Sequence, residues 1–247
     1  MHHLLWKKRN FVKGWVVVLY FLCSFIPATA QFRDELNLPN HDDKRYHIGI
    51  IIMGGVSRFQ ISQHPRFLEN DSVLVTSPEN VSAIGIGGLH TFKLTERFSA
   101  RVVFPQFLFA SKTIRYNLKY PQSGESAEMT KNVESILLGV PIQVKFQSDR
   151  IHNFRVYMMS GVKFEFDLSS KQAAKNAEDL IKLKSADFGI EAGIGFNFYM
   201  PFFILSPEIK ISNGISNSHS RDANLKFSSA IDRMNSRMII FSLIFEG

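Results

Sequence analysis

The stretch Asn132 to Leu168 limits the fold more than any other part of the chain. Ile136, Leu138, Val140, Ile142, Val144 and Phe146 alternate with Leu137, Gly139, Pro141, Gln143 and Lys145. After the polar turn Ser148-Asp149-Arg150, Phe154, Val156, Met158, Val162, Phe164, Phe166 and Leu168 alternate with Arg155, Tyr157, Gly161, Lys163, Glu165 and Asp167. A period of two is that of a β-strand, whose successive side chains point to opposite faces. One face is apolar and the other small, polar or charged. Both runs exceed the five or six residues usual for a soluble strand. Long strands with an apolar outside and a charged inside are what a transmembrane β-barrel requires.

The same pattern recurs along the chain. Tyr46 to Ser62 reads as the first strand, with a bulge expected near Gly54-Gly55, because Ile48, Ile50, Ile52 and Val56 share one parity and Phe59 and Ile61 the other. His64 to Asn80 reads as a long loop, Val81 to Leu94 as a strand, Thr95-Glu96-Arg97 as a tight turn and Phe98 to Leu118 as a strand. Pro105 has no N–H for the ladder and implies an irregularity in that strand. Lys119 to Lys131 and Ser169 to Lys182 read as loops on either side of the opening pair. Leu183 to Tyr199, Phe202 to Ser212 and Ser236 to Glu246 read as the last strands. Between the final two, Asn213 to Asn235 reads as a loop with a short helix in KFSSAIDRM. The result is eight strands joined alternately by long and short connections, the pattern of long extracellular loops and short periplasmic turns.

The first thirty residues add compartment. Basic Lys7, Lys8, Arg9 and Lys13, apolar Trp15 to Pro27 and the small-residue site Ala28-Thr29-Ala30 form a secretory signal peptide, with cleavage expected before Gln31. A membrane-spanning helix would need a longer apolar run and less polar flanks than QFRDELNLPNHDDKRY provides. Residues 31–45 then form a periplasmic lead-in, and 46–247 the barrel domain. Removing the leader's four cations from the formal charge of +7 leaves +3, too mild for a nucleic-acid partner. The one cysteine, Cys23, lies in the leader, so the mature chain has no disulfide, thiolate metal site or cysteine nucleophile.

A secreted β-sandwich or lipocalin-like barrel also alternates. There, however, the apolar set faces a dry core and the charges face water. In an outer-membrane barrel the inward set instead holds both signs: Arg101, Lys145, Arg155, Lys163 and Lys210 against Glu165, Asp167, Asp187, Glu191 and Glu208. A barrel of eight strands is just wide enough for side chains to fill it. The expected fold is therefore an all-β, eight-stranded antiparallel transmembrane barrel with a mutually neutralising interior and no open pore; a gated ion path is the alternative.

The segments ESILLGVPIQVKFQSDRIHNFRVYMMSGVKFEFDLSSK, DFGIEAGIGFNFYMPFFILSPEIKISNGI and the final AIDRMNSRMIIFSLIFEG together resemble the PorT family of Bacteroidota outer-membrane β-barrels, called SprT in gliding bacteria. The resemblance spans Tyr46 to Gly247. It implies an outer-membrane component of the type IX (Por) secretion and gliding machinery, which exports cargo bearing C-terminal signal domains. It brings no catalytic signature. The partners it implies are other type IX components. Outer-membrane lipid and the barrel-assembly machinery are expected as well, the latter on the alternating Phe241, Leu243 and Phe245 of the last strand.

Chemistry-bearing motifs are sparse. His41, His47, His64, His90, His152 and His219 show no metal-ligand spacing such as HExxH. Gly193 and Gly195 in GIGF suit close inward packing and do not follow a phosphate-loop pattern. No cofactor is expected. Phe92, Phe98, Phe146, Phe154, Phe196, Phe198, Tyr199, Phe202 and Phe245 cluster near the short turns, as a membrane-interface girdle would. An OmpX-like surface-binding barrel and a lipid-modifying enzyme working through a serine–histidine pair stay open beside the secretion role.

Overall fold

The structure is a computed structural model that describes residues 35–64, 73–118, 126–169, 184–220 and 231–247. The leader, with Cys23, lies outside the described residues. The barrel unit runs from Asn37 to Gly247. Its strands are β1 (Tyr46–Gln63), β2 (Val73–Glu79), β3 (Val81–Lys93), β4 (Phe98–Leu118), β5 (Glu128–Gln147), β6 (Phe154–Asp167), β7 (Ala186–Tyr199), β8 (Ile204–Gly214) and β9 (Ile231–Glu246).

Every ladder is antiparallel, and the ladders close on themselves. β1 pairs with β3 and β9, and the order runs on through β8, β7, β6 and β5 to β4, which pairs back with β3. β2 and β3 are two halves of one stave. β3 lies along Ser99–Ala110 of β4, and β2 continues along Thr113–Leu118. The barrel therefore has eight staves, although nine strands are distinguished.

The expected loop from His64 to Asn80 is corrected by β2. Pro78-Glu79-Asn80 reads as a loop signal in sequence, yet among the described residues β2 is hydrogen-bonded on one side only, to β4. An edge is where a sheet tolerates proline. Other boundaries move for related reasons. β5 begins at Glu128, inside the expected Lys119–Lys131 loop, and β8 runs to Gly214. β9 begins at Ile231, so the end of KFSSAIDRM is strand where a helix was expected; its earlier residues lie outside the described ones.

The bulge expected at Gly54-Gly55 is not there. The β1–β3 register is unbroken from Tyr46↔Phe92 to Ser57↔Val81, and β1–β9 shifts only at Ser62/Gln63. What changes along β1 is the environment. Ile48, Ile50, Ile52 and Val56 point outward into an apolar belt. Beyond it Phe59 points inward and is 1% exposed, while Arg58 and Gln60 point outward. Strands that outrun the membrane exchange their polarity: the outside becomes wet and the inside becomes a dry core. Phe59, Ile114, Tyr116, Leu118, Ile231 and Met234 form that core, which closes the long-loop end.

The irregularity expected at Pro105 is present. Against both neighbours β4 carries one extra residue there, with shifts between Gly87/Leu89 on β3 and between Val102/Gln106 on β4. The inward set of β4 accordingly passes from Ser99, Arg101 and Val103 to Gln106, Leu108 and Ala110.

Toward the short turns the belt ends in rings. Phe98 pairs with Phe146 at 5.0 Å between centroids, Tyr46 with Phe92 at 5.0 Å and Phe154 with Phe198 at 5.3 Å. Tyr199 does not belong to this girdle. It faces inward at the short-turn mouth, 2% exposed.

Candidate functional site

The interior is divided. Ile51, Met53, Leu89, Val103, Leu108, Met238, Ile240 and Ile244 make one side of it apolar, from β1, β3, β4 and β9. The charged groups come mainly from β5 to β8. This division explains how so narrow a lumen holds so many ions. Arg101, Lys163 and Lys210 each pair with a carboxylate, and Lys145 meets a polar group.

Three ion pairs form the middle of the lumen. Arg101 Nη1 donates to Glu208 Oε2 at 2.7 Å, Lys210 Nζ to Glu191 Oε2 at 3.1 Å, and Lys163 Nζ to Glu165 Oε2 at 2.8 Å. Neutral groups complete them. Tyr157 Oη donates to Glu208 Oε2 at 2.8 Å, and Gln143 Nε2 to Glu191 Oε2 at 2.8 Å. Lys145 lies 4.0 Å above the Tyr157 ring and donates to Asn197 Oδ1 at 3.4 Å. Gly195 makes room for this arrangement, since a Cβ there would fall 2.4 Å from the Tyr157 ring.

The remaining expected lumen residues sit at the two ends. Asp167 and Asp187 reach the long-loop rim, where Ser169 Oγ donates to Asp167 Oδ1 at 2.6 Å and Ser216 Oγ to Asp187 Oδ1 at 2.7 Å. Arg155 lies at the short-turn mouth and pairs with Asp42 of the lead-in at 3.0 Å, outside the central network.

That lead-in is a strap. Residues 37–45 cross the short-turn mouth, and Asp42 is their anchor. Its carboxylate accepts from Arg155 and from Tyr199 Oη at 3.1 Å, and Arg150 stands 3.5 Å away. Arg150 also lies 3.6 Å over the Tyr199 ring and donates to the Asn37 carbonyl. Lys93 Nζ donates to the Asp42 carbonyl at 2.6 Å. His41 turns into the mouth and stacks on His47 at 3.9 Å, with an angle of 11° between the rings. Burial first and the neighbouring His47 second lower the His41 pKa to about 4. Burial pushes the Asp42 carboxyl up, but Arg155, Tyr199 and Arg150 outweigh it and hold it below its ordinary value.

Several lumen groups escaped the sequence reading. Glu246, the penultimate residue, is 4% exposed and shares the mouth with Lys145, His47 and Thr91. Its place at the end of the alternating last strand was the available signal. Lys112 lies 4.8 Å over the Phe59 ring. Asp42 gave no signal, because a polar lead-in does not reveal which charge turns back. The cavities left at the two ends are small, about 30 Å³ under the strap and about 20 Å³ beside Lys112.

A closed antiparallel barrel with an apolar outer belt and a charged interior defines a transmembrane barrel of the outer-membrane type. Residues 37–220 match the family model described as "outer membrane protein beta-barrel domain", and the chain belongs to that family. A comparison with curated proteins returns no match. Among solved structures, the chain is similar to the outer membrane protein OprG from Pseudomonas aeruginosa, with 11% identity and a TM-score of 0.41, covering 81% of this chain and 95% of that one. It is similar to Neisserial surface protein A, with 9% identity, a TM-score of 0.40 and coverage of 80% and 96%. It is also similar to Ail, the attachment invasion locus protein of Yersinia pestis, with 8% identity, a TM-score of 0.35 and coverage of 83% and 100%.

Proposed function

We propose that this protein is a non-catalytic, non-conducting outer-membrane barrel that serves type IX secretion and gliding through protein–protein contacts. The long loops face outward; the strap and both chain ends face the periplasm. The observation that carries the non-conducting part is the interior, where ion pairs and a strap occupy the space a solute would need. The type IX assignment rests on the resemblance of the β5–β6, β7–β8 and β9 segments to the PorT family. The contacts fall to the loops, the strap or the lipid-facing wall.

Deletion of the gene with complementation, followed by location of cargo bearing C-terminal signal domains, tests the role. Cargo held in the periplasm with other outer-membrane barrels intact is the expected result. Normal export would overturn it.

One feature favours a second reading. Val73–Glu79, Thr113–Leu118 and Glu128–Asn132 extend past the belt as a three-stranded sheet. Such a sheet suits an OmpX-like surface-binding barrel. Normal export combined with lost binding to a host or neighbouring surface would select that reading.

A further inference from the structure

The β1–β9 seam carries a feature that the lumen and the strap do not explain. Its outward rungs, one above the other, are Ile50/Phe245, Ile52/Leu243, Gly54/Phe241 and Val56/Ile239. The next is Arg58/Arg237. Both arginines point outward, because their chain neighbours Ser57, Phe59, Ser236 and Met238 are 0%, 1%, 2% and 1% exposed. Two arginines thus occupy directly opposed, outward positions on the first rung beyond the apolar belt.

Like charges so placed repel, since directly opposed Cβ atoms are only about 4.5–5.5 Å apart. Neither arginine has an ion pair or side-chain hydrogen bond among the described residues, whereas Arg115 pairs with Glu79, and Arg97 with Asp149 at 2.9 Å. A third outward cation, Arg233, lies two rungs further on opposite Ser62, and its Nη2 is fixed on the Ile215 carbonyl at 2.7 Å. Elsewhere past the belt the wall presents Ser82, Ser111 and Glu134, and the cation Arg115 is neutralised there by Glu79. The unpaired positive charge of Arg58 and Arg237 stands at the seam.

We propose that Arg58 and Arg237 bind the phosphate of a lipid headgroup, that of a phosphorylated saccharolipid of the outer leaflet. An acyl chain lying along Val56, Ile239 and Phe241 brings its headgroup to the next rung. There two guanidinium forks offer paired donors to phosphate oxygens, the geometry arginine provides and lysine does not. A bound phosphate also removes the repulsion that the bare pair carries. This site rests on the orientation proposed above, with the long-loop end outward, and not on the secretion role.

The test is native mass spectrometry of the full mature barrel, refolded in neutral detergent. It compares lipid A, dephosphorylated lipid A and phosphatidylglycerol on the wild type, the double variant R58Q/R237Q and the control R115Q. Heat-modifiable migration on SDS gels checks that each variant is folded. The expected result is about tenfold greater retention of lipid A than of its dephosphorylated form, the scale of one charge-assisted contact. The ratio falls to about one in R58Q/R237Q and is unchanged in R115Q. Equal retention of the two forms, or an undiminished ratio in the double variant, would overturn the site. Phosphatidylglycerol preferred over lipid A, and lost in the double variant, would overturn the outer-leaflet assignment. None of these outcomes depends on whether cargo is exported.

Discussion

Arg101 and Glu208, 107 positions apart in sequence, meet across the lumen at 2.7 Å with both side chains 1% exposed. Tyr157 donates to the same carboxylate oxygen. Removing one member of such a pair leaves a buried charge without a partner, which costs about 3–5 kcal/mol. Glu208→Ala should lower unfolding stability by that amount in urea titrations of the barrel in lipid vesicles. The double substitution Arg101→Met with Glu208→Leu should cost clearly less, because apolar residues of similar volume replace both charges. Glu208→Ala as stable as wild type would remove the pair from the forces that hold the lumen.

The strap should loosen in acid. The His41 pKa is lowered to about 4 from an ordinary 6.5, so between those values the unfolded segment binds more protons than the docked one. Its contribution is complete above about pH 6.5 and is lost as pH falls toward 4. Asp42, also lowered, acts in the same direction at still lower pH, as its carboxylate protonates and releases Arg155 and Arg150. A spin label at Asp43→Cys should gain mobility as pH falls from 7.5 to 4.5. His41→Phe keeps the buried ring without the titration and should reduce that change. A strap equally ordered at both pH values would contradict the assignment.

The polarity exchange along β1 and β9 gives a depth-dependent prediction. Phe241 lies inside the belt opposite Gly54, and Gln60 lies beyond it opposite Asn235, both on the outward face. Phe241→Arg should cost about 2–4 kcal/mol in lipid. Gln60→Arg should stay within about 0.5 kcal/mol, as a surface change does. Equal penalties in paired urea titrations would mean that the membrane boundary does not fall between Val56 and Arg58.

The staves were legible in the sequence because a lipid-facing wall enforces a period of two over long runs, as in Ile136 to Phe146 and Phe188 to Phe198. The inward charged set was legible for the same reason. The pairing within it was not, since Arg101 finds Glu208 and Lys210 finds Glu191 through barrel closure rather than sequence spacing. Phe59 and Ile61 misled in an instructive way. A parity change in an apolar pattern signals either a bulge or a change of surroundings, and one strand alone does not distinguish them. Pro78 hid β2 because a proline on a one-sided edge resembles a proline in a loop. The strap was illegible because its anchors, Arg150, Arg155 and Tyr199, lie more than a hundred positions away from Asp42.

A lumen occupied by its own side chains leaves the protein to work through its surfaces. Single-channel recording of the purified, folded mature barrel in planar lipid bilayers tests this most directly. A filled lumen should give insertion without conductance steps across the voltage range in which porins conduct. Stable, repeated openings of porin-like size from the wild-type protein would contradict it.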